Sequence, residues 1–460
     1  MRTIIQNGAL VREDGVFSSD IAVENGKIIN IAPSLPAGAG DEVINASGLL
    51  VFPGFIDAHV HFDMENALGH TSDDFSGGTR AAIAGGTTTI IHFATQEKGH
   101  TLCEALEACH RLAEGNCACD YAFHMSVTDW NERTKSELDG MFERGVSSFK
   151  LYLAYDDLRV TDAEVYEILA ECAKRGGIVG VHCENGDLVK EGVKREKALG
   201  RFDPSAHPAS RPPLVEAEAI HRLLCIARMA GAPVSIVHLS SREGLEEIRR
   251  AREKGQRVYV ETCPQYLLLN DERYREPDFG GAKYVCSPPL RSESDRLALV
   301  GALTGGEIDT VATDHCSYTL AQKAQGLGDF SRIPNGLPGV EHRPKLLYTA
   351  FVEPGLLCAP EMCRLLSTNP AKRFGMYPRK GALQIGADAD IVLWNPEAKG
   401  VIRAADAFQT TDYTPYEGMA YTGGAERVLL GGETVFMEGT FLDDKRGRYV
   451  SRNPVKEDVL

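Results

Sequence analysis

The chain has 460 residues, 43% hydrophobic and 25% charged, an ordinary globular balance that allows a large buried core and excludes a disordered or fibrous protein. A formal net charge of −16 with no long Lys/Arg run argues against nucleic acid or an anionic membrane surface as a partner. The twelve cysteines include no Cys-x-x-Cys pair, the N-terminus turns polar before a signal-peptide core can form, and no apolar run nears the ~20 residues of a membrane span; together these predict a cytoplasmic enzyme with reduced thiols.

Residues 1–50 hold short β-type runs (Thr3 to Ile5, Ile21 to Val23, Lys27 to Ile31) punctuated by Asn7-Gly8, Asp14-Gly15 and Asn25-Gly26, pairs that tolerate the positive φ of tight hairpins. From Val51 short apolar strands alternate with helix-like segments such as Ala105 to Ala113, Ala163 to Lys174, Leu214 to Ala230 and Gly244 to Lys254. Eight strands are predicted: Val51 to Phe62, Thr87 to Phe93, Tyr121 to Val127, Ser148 to Leu153, Ile178 to His182, Val234 to His238, Val258 to Thr262 and Thr310 to Thr313. Over residues 51–379 they form an α/β catalytic domain, a TIM-like (β/α)8 barrel, whose active site belongs at the C-terminal strand ends. β-type runs return in residues 380–440 and are expected to pair with residues 1–50 as a discontinuous β-sandwich domain. The polar residues 441–460 read as a C-terminal tail that wraps a neighbouring subunit or is mobile.

The chemistry gathers at the strand ends. His59 and His61 flank Val60 at the end of the first strand, and in an extended strand they face the same side. Alone, a His-x-His among 13 histidines is weak. The fourth strand carries Lys150, which is either a salt-bridged or snorkelling lysine or one carbamylated by carbon dioxide into a carboxylate that bridges two metals. The fifth ends at His182, the sixth at His238, and the eighth runs into Asp314. Imidazole and carboxylate ligands point to zinc first, with manganese or iron as alternatives, and two such ions can share a hydroxide at neutral pH while Asp314 moves the proton. His315 and Cys316 raise a thiol-nucleophile alternative, disfavoured because a soft thiolate would compete as a ligand. His92 and His124 are read as core residues before supporting ones.

These residues resemble the amidohydrolase superfamily and, within it, the hydantoinase and dihydropyrimidinase family, over nearly the whole chain. The likeness is carried by Phe52-Pro-Gly with Asp57-Ala-His59-Val-His61, Gly85-Gly-Thr-Thr-Thr, Ser148-Phe-Lys150, His182-Cys-Glu-Asn185, Glu261-Thr-Cys-Pro-Gln-Tyr266, Ser287-Pro-Pro-Leu-Arg291, Asp314-His-Cys and Gly386-Ala-Asp-Ala-Asp. The D-phenylhydantoinase branch is most similar, through Ser331-Arg-Ile-Pro-Asn-Gly-Leu-Pro-Gly-Val-Glu341 and Asp412-Tyr-Thr-Pro-Tyr-Glu-Gly418. The resemblance implies a binuclear zinc site held by His59, His61, carbamylated Lys150, His182, His238 and Asp314, with Tyr155 donating to the oxyanion and main-chain groups of Ser287 and Asn335 holding a cyclic amide. It also implies a homotetramer or homodimer and hydrolysis of 5-substituted, aromatic hydantoins and dihydropyrimidines to N-carbamoyl products. One departure is Cys183, where alanine is more usual.

The alternatives are an allantoinase or dihydroorotase, or a non-catalytic scaffold of the same family. Dihydroorotases, and commonly allantoinases, place an arginine shortly after His-x-His, whereas Phe62-Asp63-Met64 follow here; a scaffold would have lost ligands. Met64, Leu68, Tyr152, Tyr155 and the stretch from Tyr318 to Phe330 are candidate walls for the ring substituent.

Overall fold

In the computed structural model, which describes residues 2–66 and 68–455, the eight barrel strands are Phe55–Val60, Thr87–Thr95, Asp120–Ser126, Ser148–Tyr152, Ile178–His182, Val234–Ile236, Val258–Thr262 and Thr310–Val311. They lie side by side in chain order, all parallel. The barrel closes beyond the strands proper: Val60 bridges His315, and the His61 N–H donates to the His315 carbonyl at 2.7 Å. Both strand faces are covered, which is why the strands read as nearly unbroken apolar runs. The crossover helices have local causes. Leu102–Ala113 starts at a reciprocal Thr101/Glu104 capping box, and Pro213–Ala230 opens on proline and stops at Gly231, whose φ of 65° is left-handed.

The first predicted strand is two strands. Leu50–Pro53 pairs with Ile391–Val401 in a second sheet, and only Phe55–Val60 enters the barrel. Gly54 makes the break possible, because a Cβ there would overlap the Thr88 side chain. The sixth and eighth strands are also shorter than predicted. The backbone turns left-handed at His238 (φ 39°) and Asp314 (φ 51°), which ends regular pairing and costs conformational energy of the kind stored at functional sites.

The second sheet has seven strands, drawn from residues 9–53 and 391–441, and a four-stranded sheet from residues 3–45 covers it. Ile5, Leu10, Ile21, Val51, Leu393 and Leu429 fill the space between them. Asn25 (φ 50°) and Gly26 (φ 76°) form the two-residue turn between the hairpin strands Asp20–Glu24 and Lys27–Ala32. Lys380 fastens sandwich to barrel, its ammonium shared by Asp120, Asp388 and Asp390.

The tail differs from expectation. Residues 447–455 dock on the underside of their own barrel: Val450 N–H donates to Tyr121 O (2.7 Å), Arg452 N–H to Gly145 O (3.0 Å) and Val455 N–H to Gly176 O (2.8 Å). The buried Arg452 guanidinium donates to Ser148 Oγ at 2.6 Å and to the Phe123 carbonyl. The rest of the predicted tail, residues 456–460, lies outside the described residues. Among the described residues no helix is long and apolar enough to cross a membrane.

Candidate active site

The extended first strand places His59 and His61 on one side, and both Nε2 atoms reach Asp314 Oδ1, at 3.1 and 3.2 Å. One ligand atom from each of the three lies within 4.8 Å of the others, a spacing that could hold a metal ion. Asp314 is set by its neighbour: Thr313 donates through its N–H (3.1 Å) and Oγ1 (2.7 Å) to the buried Asp57 carboxylate, tying the eighth strand to the first. Burial works to raise the Asp314 carboxyl, but the imidazoles of His59 and His61 outweigh it and hold the group well below the usual carboxylate range.

On the opposite side, His182 Nδ1 stands 3.1 Å from His238 Nε2. His182 Nε2 donates to Glu184 Oε2 (3.0 Å), which leaves Nδ1 a bare lone pair aimed at His238. His238 Nδ1 is buried and has no hydrogen-bond partner among the described residues. The two imidazoles therefore share at most one proton where two nitrogens meet, an arrangement a cation satisfies better than a hydrogen bond does. The His59 and His238 rings are 5.4 Å apart, so both histidine pairs open on one space.

Lys150 is 1% exposed, lies over the rings of Phe93 (5.1 Å) and Tyr152 (5.2 Å), and has no carboxylate in ion-pair contact among the described residues. Burial pushes its ammonium down to about 8, against the pull of Asp314 and Glu261. A neutral buried amine is the form that can add carbon dioxide. The donor set thus fits a pair of borderline-hard divalent ions.

Tyr155 sits just past the fourth strand with φ 66°, its ring 5.4 Å from that of His182. Burial raises its hydroxyl above the ordinary tyrosine value, so it remains an O–H donor at neutral pH. Arg211 joins this region together: its guanidinium donates to Glu184 Oε2 (3.1 Å) and to Ser287 Oγ and bonds the Tyr155 hydroxyl. Asn335 lies on a neighbouring loop, where its carbonyl accepts the Cys316 thiol at 3.8 Å.

Sequence reasoning gave no role to three of these residues. Glu261 Oε1 accepts His59 Nδ1–H at 2.7 Å and His238 N–H at 3.2 Å, orienting both histidines. Glu184 does the same for His182, and burial, which would raise it, is overcome by Arg211 and His182, which hold it down to about 2. Arg211 supports the Glu184, Ser287 and Tyr155 side chains. The available signal was charge within otherwise apolar strand ends, as in Val258-Tyr-Val-Glu-Thr262.

Other candidates fall away. His92 Nδ1 accepts Phe62 N–H (3.3 Å), and His124 bonds Ser148 Oγ and Ala58 O; both are buried structural residues. His315 cannot activate Cys316: its Nε2 is bound to Asp73 (3.0 Å) and its Nδ1 accepts Gly339 and Val340 N–H, while burial pushes the Cys316 thiol up to about 12. Tyr318 and Phe330 are fully buried packing residues, whereas Met64 and Leu68 are half-buried.

Residues 50–435 match the Amidohydrolase family. The chain belongs to that family. It is 43% identical over 458 residues to the D-hydantoinase of Streptomyces coelicolor, covering 98% of each chain. It is 41% identical over 468 residues to the D-phenylhydantoinase of Escherichia coli, covering 100% of each. The crystal structure of the Brevibacillus agri dihydropyrimidinase superposes with a TM-score of 0.97 at 38% identity, over 99% of this chain and 100% of that one. The protein is thus an amidohydrolase enzyme of the hydantoinase and dihydropyrimidinase group, with a barrel fold shared along its full length.

Proposed function

We propose that this amidohydrolase is a zinc-dependent cyclic amidase that opens the ring amide of 5-substituted, preferably aromatic, hydantoins, and of dihydropyrimidines, to N-carbamoyl amino acids. The observation that carries the proposal is the convergence of His59, His61, His182, His238 and Asp314, from four strand ends, on one space beside the buried Lys150. His59, His61, His182, His238 and Asp314, with a carbamylated Lys150, would hold the ions. Bound there, two divalent ions supply a hydroxide nucleophile at neutral pH and polarise the ring carbonyl.

The chain's own residues do the rest. Main-chain groups of Ser287 and Asn335 hold the ring amide so that its carbonyl faces the histidine cluster. Tyr155 donates its O–H to the carbonyl oxygen as negative charge develops there. The Asp314 carboxylate takes the remaining proton of the attacking hydroxide and returns it to the departing ring nitrogen, so the ureido nitrogen leaves neutral. The assembly expected from the resemblance is a homotetramer or homodimer.

The test is metal content together with initial rates on 5-phenylhydantoin, dihydrouracil, allantoin and dihydroorotate. The proposal requires bound divalent metal and fastest turnover of the phenyl-substituted ring. Turnover of the carboxylate-bearing ring alone would sink the substrate assignment, and a metal-free, inert protein would revive the scaffold alternative.

A further inference from the structure

Lys323 belongs to none of the machinery above. It ends the short helix Leu320–Lys323 and is 1% exposed. A buried ammonium ordinarily faces a carboxylate. This one donates to three main-chain carbonyls, Val285 O (2.8 Å), Pro334 O (2.6 Å) and Gly336 O (2.8 Å). The titratable groups around it are the Cys286 and Cys316 thiols and the His207 imidazole, with the Tyr318 ring at 5.8 Å. Burial holds both thiols up at about 12 and His207 down at about 3, so none offers a counter-charge at neutral pH.

The three carbonyls bracket two positions. Val285 precedes Ser287 by two residues, and Pro334 and Gly336 flank Asn335. The same segments are stitched together directly, Gly336 N–H donating to Val285 O (3.0 Å) and Cys316 N–H to Leu337 O (3.0 Å). At Gly336 (φ 151°) a side chain would collide with the Cys316 backbone, so the Asn335 loop lies flat on the end of the eighth strand.

We propose that Lys323 is a positioning residue: by gathering the carbonyls of Val285, Pro334 and Gly336 on one ammonium, it fixes the spacing between the main-chain groups of Ser287 and Asn335 that hold the ring amide. The inference rests on the proposed cyclic amidase function. The protonated form matters, because an ammonium satisfies three carbonyls with charge-assisted bonds, whereas an amine has two donors and turns a lone pair toward the third. Burial pushes Lys323 down to about 7, which places the change between the two forms near neutral pH. The affected quantity is substrate hold, since Lys323 touches neither the histidine cluster nor Tyr155.

The experiment compares metal-loaded wild type, Lys323→Met and Lys323→Gln on 5-phenylhydantoin, with metal content measured on each. The expected result is a KM raised about tenfold in Lys323→Met and less in Lys323→Gln, kcat within about threefold of wild type, and unchanged metal per chain. Wild-type KM should also rise between about pH 6 and pH 8, while both variants stay flat over that range. If Lys323→Met fails to fold, Lys323→Gln, which retains two N–H donors without charge, and the wild-type pH profile decide the matter. An unchanged KM in the variants, or kcat lost with KM retained, overturns the role. A wild type inert on every cyclic amide removes the proposed function and Lys323's role with it; an active wild type with unaltered variants removes Lys323's role alone.

Discussion

Glu261 offers the sharpest test of how the site is built. Its Oε1 accepts both the His59 Nδ1–H at 2.7 Å and the His238 N–H at 3.2 Å, so one buried carboxylate orients a histidine from each half of the cluster. Glu261→Gln keeps the shape and one acceptor oxygen but removes the charge. A hydrogen bond to a charged group contributes roughly 1.5–3 kcal/mol against about 1 for a neutral pair, so the loss is roughly 0.5–2 kcal/mol, or about two- to thirtyfold in metal affinity. Glu261→Ala leaves His59 Nδ1 and His238 N–H buried without an acceptor, and its loss should approach the upper end of the ~10–100-fold expected when such a support is removed. Competition between the protein and a zinc chelator, followed as metal bound per chain, measures the effect directly. Far-UV circular dichroism on the same samples separates it from unfolding. Folded Glu261→Ala protein with metal affinity within twofold of wild type would refute the orienting role.

Lys150→Ala should lose bound metal and activity, with partial return on adding short carboxylic acids; unchanged metal content would sink the bridging role. Tyr155→Phe should lower kcat by about 10²–10³ with a small change in KM, the usual effect of removing one oxyanion donor, and an unaltered kcat would remove Tyr155 from that role. Arg452→Met strips the tail's buried guanidinium of its bonds to Ser148 Oγ and Phe123 O. It should cost about 2–3 kcal/mol, seen as a lower thermal midpoint, and an unshifted midpoint would mean the tail does not hold the barrel.

What the sequence displays, and what it hides, divides along physical lines. His59, His61, Lys150, His182 and His238 are conspicuous because imidazole and ammonium groups are out of place at the ends of apolar strands. Glu261 is camouflaged, since Val-Tyr-Val-Glu-Thr reads as a strand with one solvent-facing polar residue, and only the closed barrel reveals that this face points inward. Arg211 sits in His207-Pro-Ala-Ser-Arg-Pro-Pro213, which reads as an exposed turn, and its partners Glu184 and Ser287 are distant in sequence. The tail's polar composition suggests solvent exposure, yet its partners are main-chain groups on the barrel underside, which no local pattern encodes. The Leu50–Pro53 boundary is lost in a continuous apolar run, because the reason for the break at Gly54 is the Thr88 side chain more than thirty residues away.

The residues after His61 bear on the substrate more sharply in the fold than in the sequence. Phe62 is fully buried, packed edge-on against Phe75 (6.1 Å) and His315 (5.3 Å), so it supports the strand end and faces no ligand. Asp63 adopts φ 48° and accepts the Phe75 N–H at 2.9 Å, so the stretch Phe62-Asp63-Met64 that follows His61 carries an anion and no cation. Of the cations beside the proposed ring-amide hold, Arg211 is already committed to Glu184, Ser287 and Tyr155, and Lys323 to three main-chain carbonyls. A substrate carboxylate would therefore be desolvated without a partner, a penalty of several kcal/mol. The kcat/KM for dihydroorotate should then fall below that for 5-phenylhydantoin by at least about a hundredfold, corresponding to roughly 2.7 kcal/mol. Comparable values for the two rings would show that a cation reaches the substrate by a route that Phe62, Asp63 and Arg211 do not disclose, and the preference for uncharged substituents would have to be abandoned.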